Sequence, residues 1–385
     1  MKSFITSLLL FFCMIAEAQN VGIGTTSPAP SAKVDISSTN SGLLLPRMTT
    51  AERDAIGSPA TGLLIFNTDN NALEMWNATG WISFSGSGIF NNGVPVGPTC
   101  NGLWAQKADL GGLARNQAVS FSIGNKGYTG TGNDGTYKKD FWEFDPATNT
   151  WTQKADFGGT ARSGAVGLAI AGKGYIGTGY DGAYKKDFWE YDPLSNSWTQ
   201  KTDYGGSPRS GGIGFVVSAK GYIGTGYDGA DKIDFWEYDP AGNSWTQKAD
   251  FAAVGRSGGS GFSIGSKGYA GLGQLSTTGA YKKDFWEYDP VVNAWTQKLD
   301  FGGSSRTGAT GFSVNTKGYI GTGTANNVPK KDFWEYDPVA NTWVQKMDFG
   351  GTARYAATSF AIGTKAYIGM GTDGAYKKDF WEYCQ

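Results

Sequence analysis

The stretch Asp187-Phe188-Trp189-Glu190-Tyr191 is one of six near-identical copies of the string Asp-Phe-Trp-Glu-(Phe/Tyr). Successive copies lie 47, 47, 50, 48 and 47 residues apart along the chain of 385 residues. A fixed period of this size indicates a repeat architecture in which each unit is one supersecondary element. The tryptophans of the six copies are Trp142, Trp189, Trp236, Trp286, Trp334 and Trp381.

Three further side chains recur with the same period. They are a second tryptophan, an arginine that precedes each first strand, and a tyrosine inside a Lys-(Gly/Ala)-Tyr string. The tryptophans are Trp104, Trp151, Trp198, Trp245, Trp295 and Trp343. The arginines are Arg115, Arg162, Arg209, Arg256, Arg306 and Arg354. The tyrosines are Tyr128, Tyr175, Tyr222, Tyr269, Tyr319 and Tyr367.

Each unit contains four strand-sized segments separated by turn signals. In the second copy, glycines bracket the segment from Lys173 to Thr178, and Asp192-Pro193 with Asn196 predicts a tight turn before Trp198. A four-stranded sheet this small cannot bury its face alone, so radial stacking of blades is expected. We therefore predict an all-β fold in which residues 100–385 form a six-bladed β-propeller.

The period, the glycine-bounded second strand and a tyrosine seven residues before a tryptophan (Tyr191 and Trp198, Tyr238 and Trp245) resemble kelch repeats. The resemblance covers residues 100–385. The sequence departs from the usual pattern at Gly177-Thr178-Gly179, where kelch repeats carry a glycine doublet. The resemblance implies that the loops joining second to third strands share one face with the loops joining fourth strands to the next first strands.

The ends of the repeat predict how the ring closes. The first unit begins at its fourth strand, Leu103 to Lys107, and the last unit stops after its third strand, at Tyr383. In kelch-type propellers such an N-terminal strand commonly completes the last blade. Aligned on the repeat, Cys100 and Cys384 would then lie two positions apart, and we predict a disulfide between them.

The N-terminal part lies outside the repeat. Residues 1–18 have the charged start, apolar run and Ala16-Glu17-Ala18 ending of a secretory signal. This predicts a secreted protein without a transmembrane segment. Its location would be the cell surface, the periplasm or the extracellular space. Residues 19–84 are predicted to form a small β-rich (α+β) module, and residues 85–99 a linker. The stretches 21–28 and 44–56 resemble a head module of fibre-like bacterial surface proteins, often trimeric, which implies a possible homo-oligomer. A mere spacer is the alternative.

Composition excludes several classes of function. The formal net charge is −1, which gives no electrostatic footprint for nucleic acid. The chain contains no histidine, which excludes the Ser-His-Asp triad and histidine-ligated metals. No catalytic residue, metal or cofactor is predicted.

Two sets of residues are candidates for binding. The loop after the second strand carries Asp-Gly in four units. The units differ in length only in this loop, which has three extra residues in the fourth unit and one in the fifth. Insertions on one face of a repeat array often mark a binding face, although Asp-Gly is also ordinary turn chemistry. In some kelch relatives the repeated arginines engage acidic ligands from the channel mouth; pairing with the repeated aspartates is the alternative. The candidate loop residues are Asp134, Tyr180, Asp181, Tyr227, Asp228 and Asp373.

These observations predict an exported platform that binds a protein or a glycan. The alternatives are a carbohydrate-active enzyme, such as a sugar epimerase or hydrolase with acidic residues near the central channel, and a purely structural component of an extracellular matrix. Near-identical loops in most units favour multivalent contact over a single catalytic cluster.

Overall fold

The computed structural model describes residues 21–23, 25–27, 32–85, 88–91, 94–95 and 102–385. The predicted signal segment 1–18 lies outside these residues. The chain forms two compact units, residues 1–99 and 100–385. Within the described residues, no helix has the length and apolar character needed to cross a membrane.

The second unit is a six-bladed β-propeller, and each blade is one antiparallel four-stranded sheet whose strands neighbour one another in order. The first strands are Val119–Ile123, Val166–Ile170, Ile213–Val217, Ser260–Ile264, Thr310–Val314 and Thr358–Ile362. The second strands are Lys126–Gly130, Lys173–Gly177, Lys220–Gly224, Lys267–Gly271, Lys317–Gly321 and Lys365–Gly369. The third strands are Phe141–Asp145, Phe188–Asp192, Phe235–Asp239, Phe285–Asp289, Phe333–Asp337 and Phe380–Cys384. The fourth strands of blades one to five are Thr150–Lys154, Ser197–Lys201, Ser244–Lys248, Ala294–Gln297 and Thr342–Lys346.

Blade six is assembled from both ends of the unit. Its fourth strand is Leu103–Lys107, which pairs with Phe380–Cys384 in the register Trp104 to Tyr383. The predicted ring closure is therefore confirmed. Cys384 is buried, and its carbonyl accepts a hydrogen bond from the Gly102 amide at 2.9 Å. Cys100 lies outside the described residues, so the disulfide stays a prediction.

The core of the propeller lies between blades. Phe188 and Tyr191 of one third strand are both fully buried, because neighbouring blades cover both faces of each sheet. Trp198 packs edge-on against Phe141 and Phe157, each with ring centroids 5.1 Å apart. Equivalent aromatic contacts join every adjacent pair of blades, so a sheet too small to be stable alone gains its buried area from its neighbours.

The N-terminal unit has a two-stranded parallel sheet and a mixed six-stranded sheet. Its helix, α1 (Thr50–Asp54), starts with a capping box: Thr49 accepts from the Glu52 amide, and the Glu52 carboxylate accepts from the Thr49 amide. The strands are β1 (Val21–Ile23), β2 (Val34–Ile36), β3 (Arg47–Met48), β4 (Leu64–Asn67), β5 (Ala72–Trp76), β6 (Trp81–Ser85), β7 (Gly88–Asn91) and β8 (Val94–Pro95).

The stretch predicted to be a linker contains structure. Strands β7 and β8 continue the six-stranded sheet, with Ile82 opposite Asn91 and Phe90 opposite Pro95. Residues 88–91 and 94–95 are therefore strands of this sheet rather than an extended connection.

Candidate functional site

The six repeated arginines form a buried layer within the blades. Arg162 is fully buried and binds Asp187 with both terminal nitrogens, at 2.6 and 2.7 Å. Its Nη1 also donates to the carbonyl of Thr178 at 2.9 Å, and its Nε donates to the carbonyl of Thr160 at 3.0 Å. The ring of Phe157 lies 5.0 Å from the guanidinium carbon. The five equivalent arginines are 0–1% exposed and pair with Asp140, Asp234, Asp284, Asp332 and Asp379.

These pairs explain the repeated Asp-Phe-Trp string. The second oxygen of Asp187 accepts from Arg162 and also from the Trp189 indole at 2.7 Å. Burial alone would raise the pKa of Asp187, but the hydrogen bonds and charge of Arg162 and the indole of Trp189 outweigh it and hold that pKa below its usual range. The aspartate of the string thus supplies the carboxylate that pairs with the buried arginine, and the tryptophan of the string donates a further hydrogen bond to that carboxylate.

The arginine layer also joins blades through the backbone. The carbonyl of Arg162 accepts from the Gly132 amide of the preceding blade at 2.7 Å, and equivalent bonds occur in the other five blades. The guanidinium donors are used inside the blade, and none of the six arginines lines the central cavity. Of the two roles that the sequence offered for these arginines, the structure shows the pairing with the repeated aspartates.

A second repeated feature surrounds the central axis. Six residues with positive φ, one from each blade, donate backbone N–H groups to one another's carbonyls in a closed ring of hydrogen bonds 2.8–3.1 Å long. Four of them are glycines, for which this backbone conformation carries no Cβ penalty. The ring consists of Gln117, Gly164, Gly211, Gly258, Gly308 and Ala356.

This ring borders a central cavity of about 740 Å³, the size of a small-molecule site. Its lining consists of glycine and alanine backbone, tyrosine rings, and serine, threonine, asparagine and glutamine side chains. None of the lining residues carries a formal charge at neutral pH. The wall therefore offers aromatic faces and neutral hydrogen-bonding groups, and it changes around the axis.

One side of the wall is aromatic. Four tyrosines from blades one to three follow one another, with centroid distances of 6.1 Å, 5.1 Å and 5.9 Å between successive rings. Burial and the neighbouring Tyr227, Tyr180 and Asp228 raise the pKa of Tyr184, so its phenol stays protonated at neutral pH. We call this set the aromatic arc; it consists of Tyr137, Tyr180, Tyr184 and Tyr227.

The part of the wall in blades four and five is mainly polar and is built by the two loops that carry insertions. Outside the aromatic arc, Tyr281 of blade four and Tyr355 of blade six also line the cavity. Tyr281 donates to the Asn327 side chain at 2.8 Å, and Ser276 donates to Asp231 from both its amide and its hydroxyl at 2.7 Å. Both inserted loops are thus tied to the preceding blade. We call this set the polar arc; it consists of Gln274, Ser276, Thr324 and Asn327.

The predicted loop aspartates lie beside the cavity rather than in its wall. Each forms an ion pair with the lysine four residues later, at 2.8–2.9 Å. Burial would raise the pKa of Asp181, but hydrogen bonds from Lys185 and Thr160 outweigh it and lower that pKa. Of the predicted loop residues, the structure therefore brings Tyr180 and Tyr227 into the wall and leaves Asp134, Asp181, Asp228 and Asp373 outside its lining.

Sequence reasoning missed three important residues: Tyr137, Tyr184 and Asp231. All three occupy the position just before a repeated lysine, where five units read Tyr-Lys-Lys or Pro-Lys-Lys and the third reads Asp-Lys-Ile. A column-by-column comparison of the units would have found Asp231, because it is the one carboxylate at this position. Among the side chains that the structure describes, no group of three or more Cys, Asp or Glu residues could hold a metal ion.

Comparisons with known proteins separate the two units. Residues 22–96 match the family described as "Phage tail like trimerisation region". No curated protein matches the chain. Among solved structures, the chain is similar to YjhT, a kelch-like β-propeller protein, with a TM-score of 0.61 and 17% sequence identity, covering 71% of this chain and 96% of that one. At this identity the likeness shows the propeller fold alone.

Proposed function

We propose that this protein is an exported, oligomeric β-propeller of the kelch type that binds uncharged saccharide units of a glycan in its central cavity. The single observation that carries the proposal is the wall of that cavity. It combines four neighbouring tyrosine rings on one side with hydroxyl and amide groups on the other, without a charged side chain in its lining.

A pyranose has the complementary chemistry. Its ring C–H groups form an apolar face that packs against an aromatic side chain, and its hydroxyls need hydrogen-bond partners when they leave water. Tyrosines supply large and rigid contact area, while serine, asparagine and glutamine satisfy hydroxyls. A strongly charged ligand would lose hydration in this wall without gaining an ionic partner.

The N-terminal unit supports an oligomeric arrangement. Its match to a trimerisation region suggests that several propellers are held together, as the sequence resemblance to fibre heads also implied. Linking several weak saccharide sites raises the apparent affinity for a surface that displays many copies of the ligand. Export is proposed from the signal-like segment 1–18, and the surface location and the Cys100–Cys384 bond are part of the same proposal.

The proposal is tested with residues 19–385 on a glycan array, followed by calorimetry with the saccharides that bind. The variant Tyr180→Ala with Tyr227→Ala removes half of the aromatic arc and should abolish binding on the array. Tyr376→Ala is the control, because Tyr376 holds in blade six the repeat position of the arc residue Tyr184, is 40% exposed, and is absent from the cavity lining. Equal loss in both variants, or wild-type binding to no glycan, would contradict the proposal.

A second candidate, a carbohydrate-active enzyme, is favoured by one observation. Asp231 lies directly behind the cavity-lining Ser276, and its Oδ1 is buried with no hydrogen-bond partner among the described residues. Turnover of chromogenic glycosides that is lost in Asp231→Asn would favour this reading. Saturable binding without turnover favours the binding platform.

A further inference from the structure

We propose that Asp231 is a positioning residue that makes the polar arc select ligands by a hydroxyl donor, so that the cavity binds one class of uncharged pyranoside in one orientation. This inference rests on the proposed function and names the ligand chemistry of the same site. It assigns different tasks to the two sides of the wall: the aromatic arc supplies contact area, and the polar arc supplies selection.

Asp231 occupies a distinctive position in the repeat. In blades one to four the residue at this position contacts the loop of the next blade. Tyr137 and Tyr184 reach tyrosine rings, at 6.1 and 5.9 Å between centroids. Asp231 instead holds the inserted loop of blade four through Ser276. The run of contacts between tyrosine rings, from Tyr137 to Tyr227, therefore ends at the one blade in which a carboxylate holds this position.

Three departures from the repeat lie close to one another. Blade four carries the three inserted residues, blade three carries Asp231, and Gly255 stands where the other units have Ala, Pro or Ser before the arginine. A Cβ at Gly255 would lie 2.7 Å from the carbonyl oxygen of Asp231 and 3.2 Å from its Cβ. The glycine thus leaves room for the backbone and Cβ of Asp231, and the carboxylate of Asp231 in turn holds the inserted loop of blade four.

The hydrogen bonds of Ser276 fix the direction of its hydroxyl proton. Its hydroxyl donates to the Oδ2 of Asp231 at 2.7 Å, and its amide donates to the same oxygen at 2.7 Å. A serine hydroxyl has one donor and two acceptor lone pairs. With the donor used by Asp231, the Ser276 oxygen faces the cavity as an acceptor. It therefore favours a ligand that presents a hydroxyl there over one that presents an ether oxygen.

The experiment uses the full chain and the methyl glycosides of glucose, galactose, mannose and N-acetylglucosamine, with their monodeoxy and mono-O-methyl derivatives. Calorimetry of the wild type should find one hydroxyl whose O-methylation weakens binding of the parent glycoside by about tenfold. Asp231→Ala and Ser276→Ala should reduce this discrimination to about twofold or less while the parent glycoside still binds. Asp231→Glu should restore part of it.

The control is Asp228→Ala, which removes a carboxylate of the same loop that pairs with Lys232 outside the cavity lining. Its discrimination should equal that of the wild type. Hydrogen exchange gives a second readout that needs no ligand: the amide of Ser276 should exchange faster in Asp231→Ala and at the wild-type rate in Asp228→Ala.

The possible failures are distinguishable. A wild type that binds none of these glycosides or any array glycan overturns the proposed function and this inference together. Binding that depends on Tyr180 and Tyr227, with discrimination unchanged in folded Asp231→Ala, overturns this inference alone. An unchanged Ser276 exchange rate in Asp231→Ala also contradicts the positioning role.

Discussion

The buried arginine layer and the wall of the central cavity differ in how strictly they follow the repeat. Every blade carries the same arginine, the same aspartate and the same tryptophan, with Arg–Asp distances of 2.6 Å in all six pairs. The cavity wall has four neighbouring tyrosines in blades one to three, single tyrosines in blades four and six, and polar side chains on the longer loops of blades four and five.

This difference separates stability from recognition. An interaction that each blade needs for its own packing is kept in every copy. A group that contacts a ligand on the axis needs to occur on one side only, because a ligand smaller than the ring does not have sixfold symmetry. The comparison predicts that changes in the arginine layer alter stability while leaving ligand selection intact, and that changes in the wall do the reverse.

Acid should have the largest effect, because it removes the negative partner in most pairs at once. The pKa values of five of the paired aspartates are lowered by their arginines and indoles against the opposing effect of burial. A lowered folded-state pKa gives stability that is present above the unfolded value of about 3.9 and is lost as the pH falls through the folded value. These aspartates are Asp140, Asp187, Asp284, Asp332 and Asp379.

We expect the free energy of unfolding, measured by urea titration with tryptophan fluorescence, to fall steeply below about pH 4. Saccharide binding should stay nearly constant between pH 5 and 8, because the cavity lining carries no group with an ordinary pKa in that range. A stability that is flat down to pH 2.5 would contradict the role of the pairs.

The predicted Cys100–Cys384 disulfide should give the next largest effect on the scaffold. Closing a loop of this length contributes about 5 kcal/mol if the bond is unstrained. Replacing both cysteines by alanine should lower the free energy of unfolding by this amount, and reduced wild type should behave like the variant. The predicted disulfide would be contradicted if reductant left the stability of the wild type unchanged and peptide mapping found both thiols free.

A single arginine tests the layer within one blade. Arg162→Leu leaves the Asp187 carboxylate partly buried without its partner and should cost about 3–5 kcal/mol. Arg162→Leu combined with Asp187→Leu should recover much of that loss, because no buried charge is left unpaired. Saccharide discrimination by the folded fraction should match that of the wild type; altered discrimination would mean that the layer also shapes the site.

Changes in the aromatic arc test the other half of the comparison. Tyr180→Ala alone should weaken saccharide binding by about tenfold through lost ring contact, with the free energy of unfolding changed by less than about 1 kcal/mol. Tyr376→Ala again serves as the control. A large loss of stability in Tyr180→Ala, without a specific loss of binding, would place this ring in the scaffold.

The smallest effect is expected in the backbone ring around the axis. Gly211 has a φ of 65°, and an added Cβ would meet its nearest neighbours at 3.4 Å, which is ordinary contact. Gly211→Ala should therefore cost only the conformational penalty of about 1 kcal/mol. Ala356, with a φ of 53°, shows that an alanine is accommodated at this position. A loss of several kcal/mol would reveal packing against the ring that the geometry does not predict.

The sequence predicted much of the fold and less of the site. The spacing of Trp142 and its counterparts gave the blade count, and the unequal ends of the repeat gave the closure through Leu103–Lys107. Tyr180 and Tyr227 were identified because they lie in the loop that follows the second strand, the loop in which the units differ in length. Asp231 was missed because its partner, Ser276, is 45 residues away in another blade. Strands β7 and β8 were missed because they are short and lie among glycine, asparagine and proline residues.

Sequence alone determined the architecture. A unit of about 47 residues with four short strands cannot bury the faces of its sheet alone, so the units stack radially. Tertiary structure decided where each repeated side chain points. Phe188 and Tyr191 are both buried since neighbouring blades cover both faces, and Arg162 turns into its own blade because Asp187 and two carbonyls use its donors. The tertiary structure also decided which side chains line the central cavity, because these residues lie far apart in the chain and surround the cavity only when the ring closes.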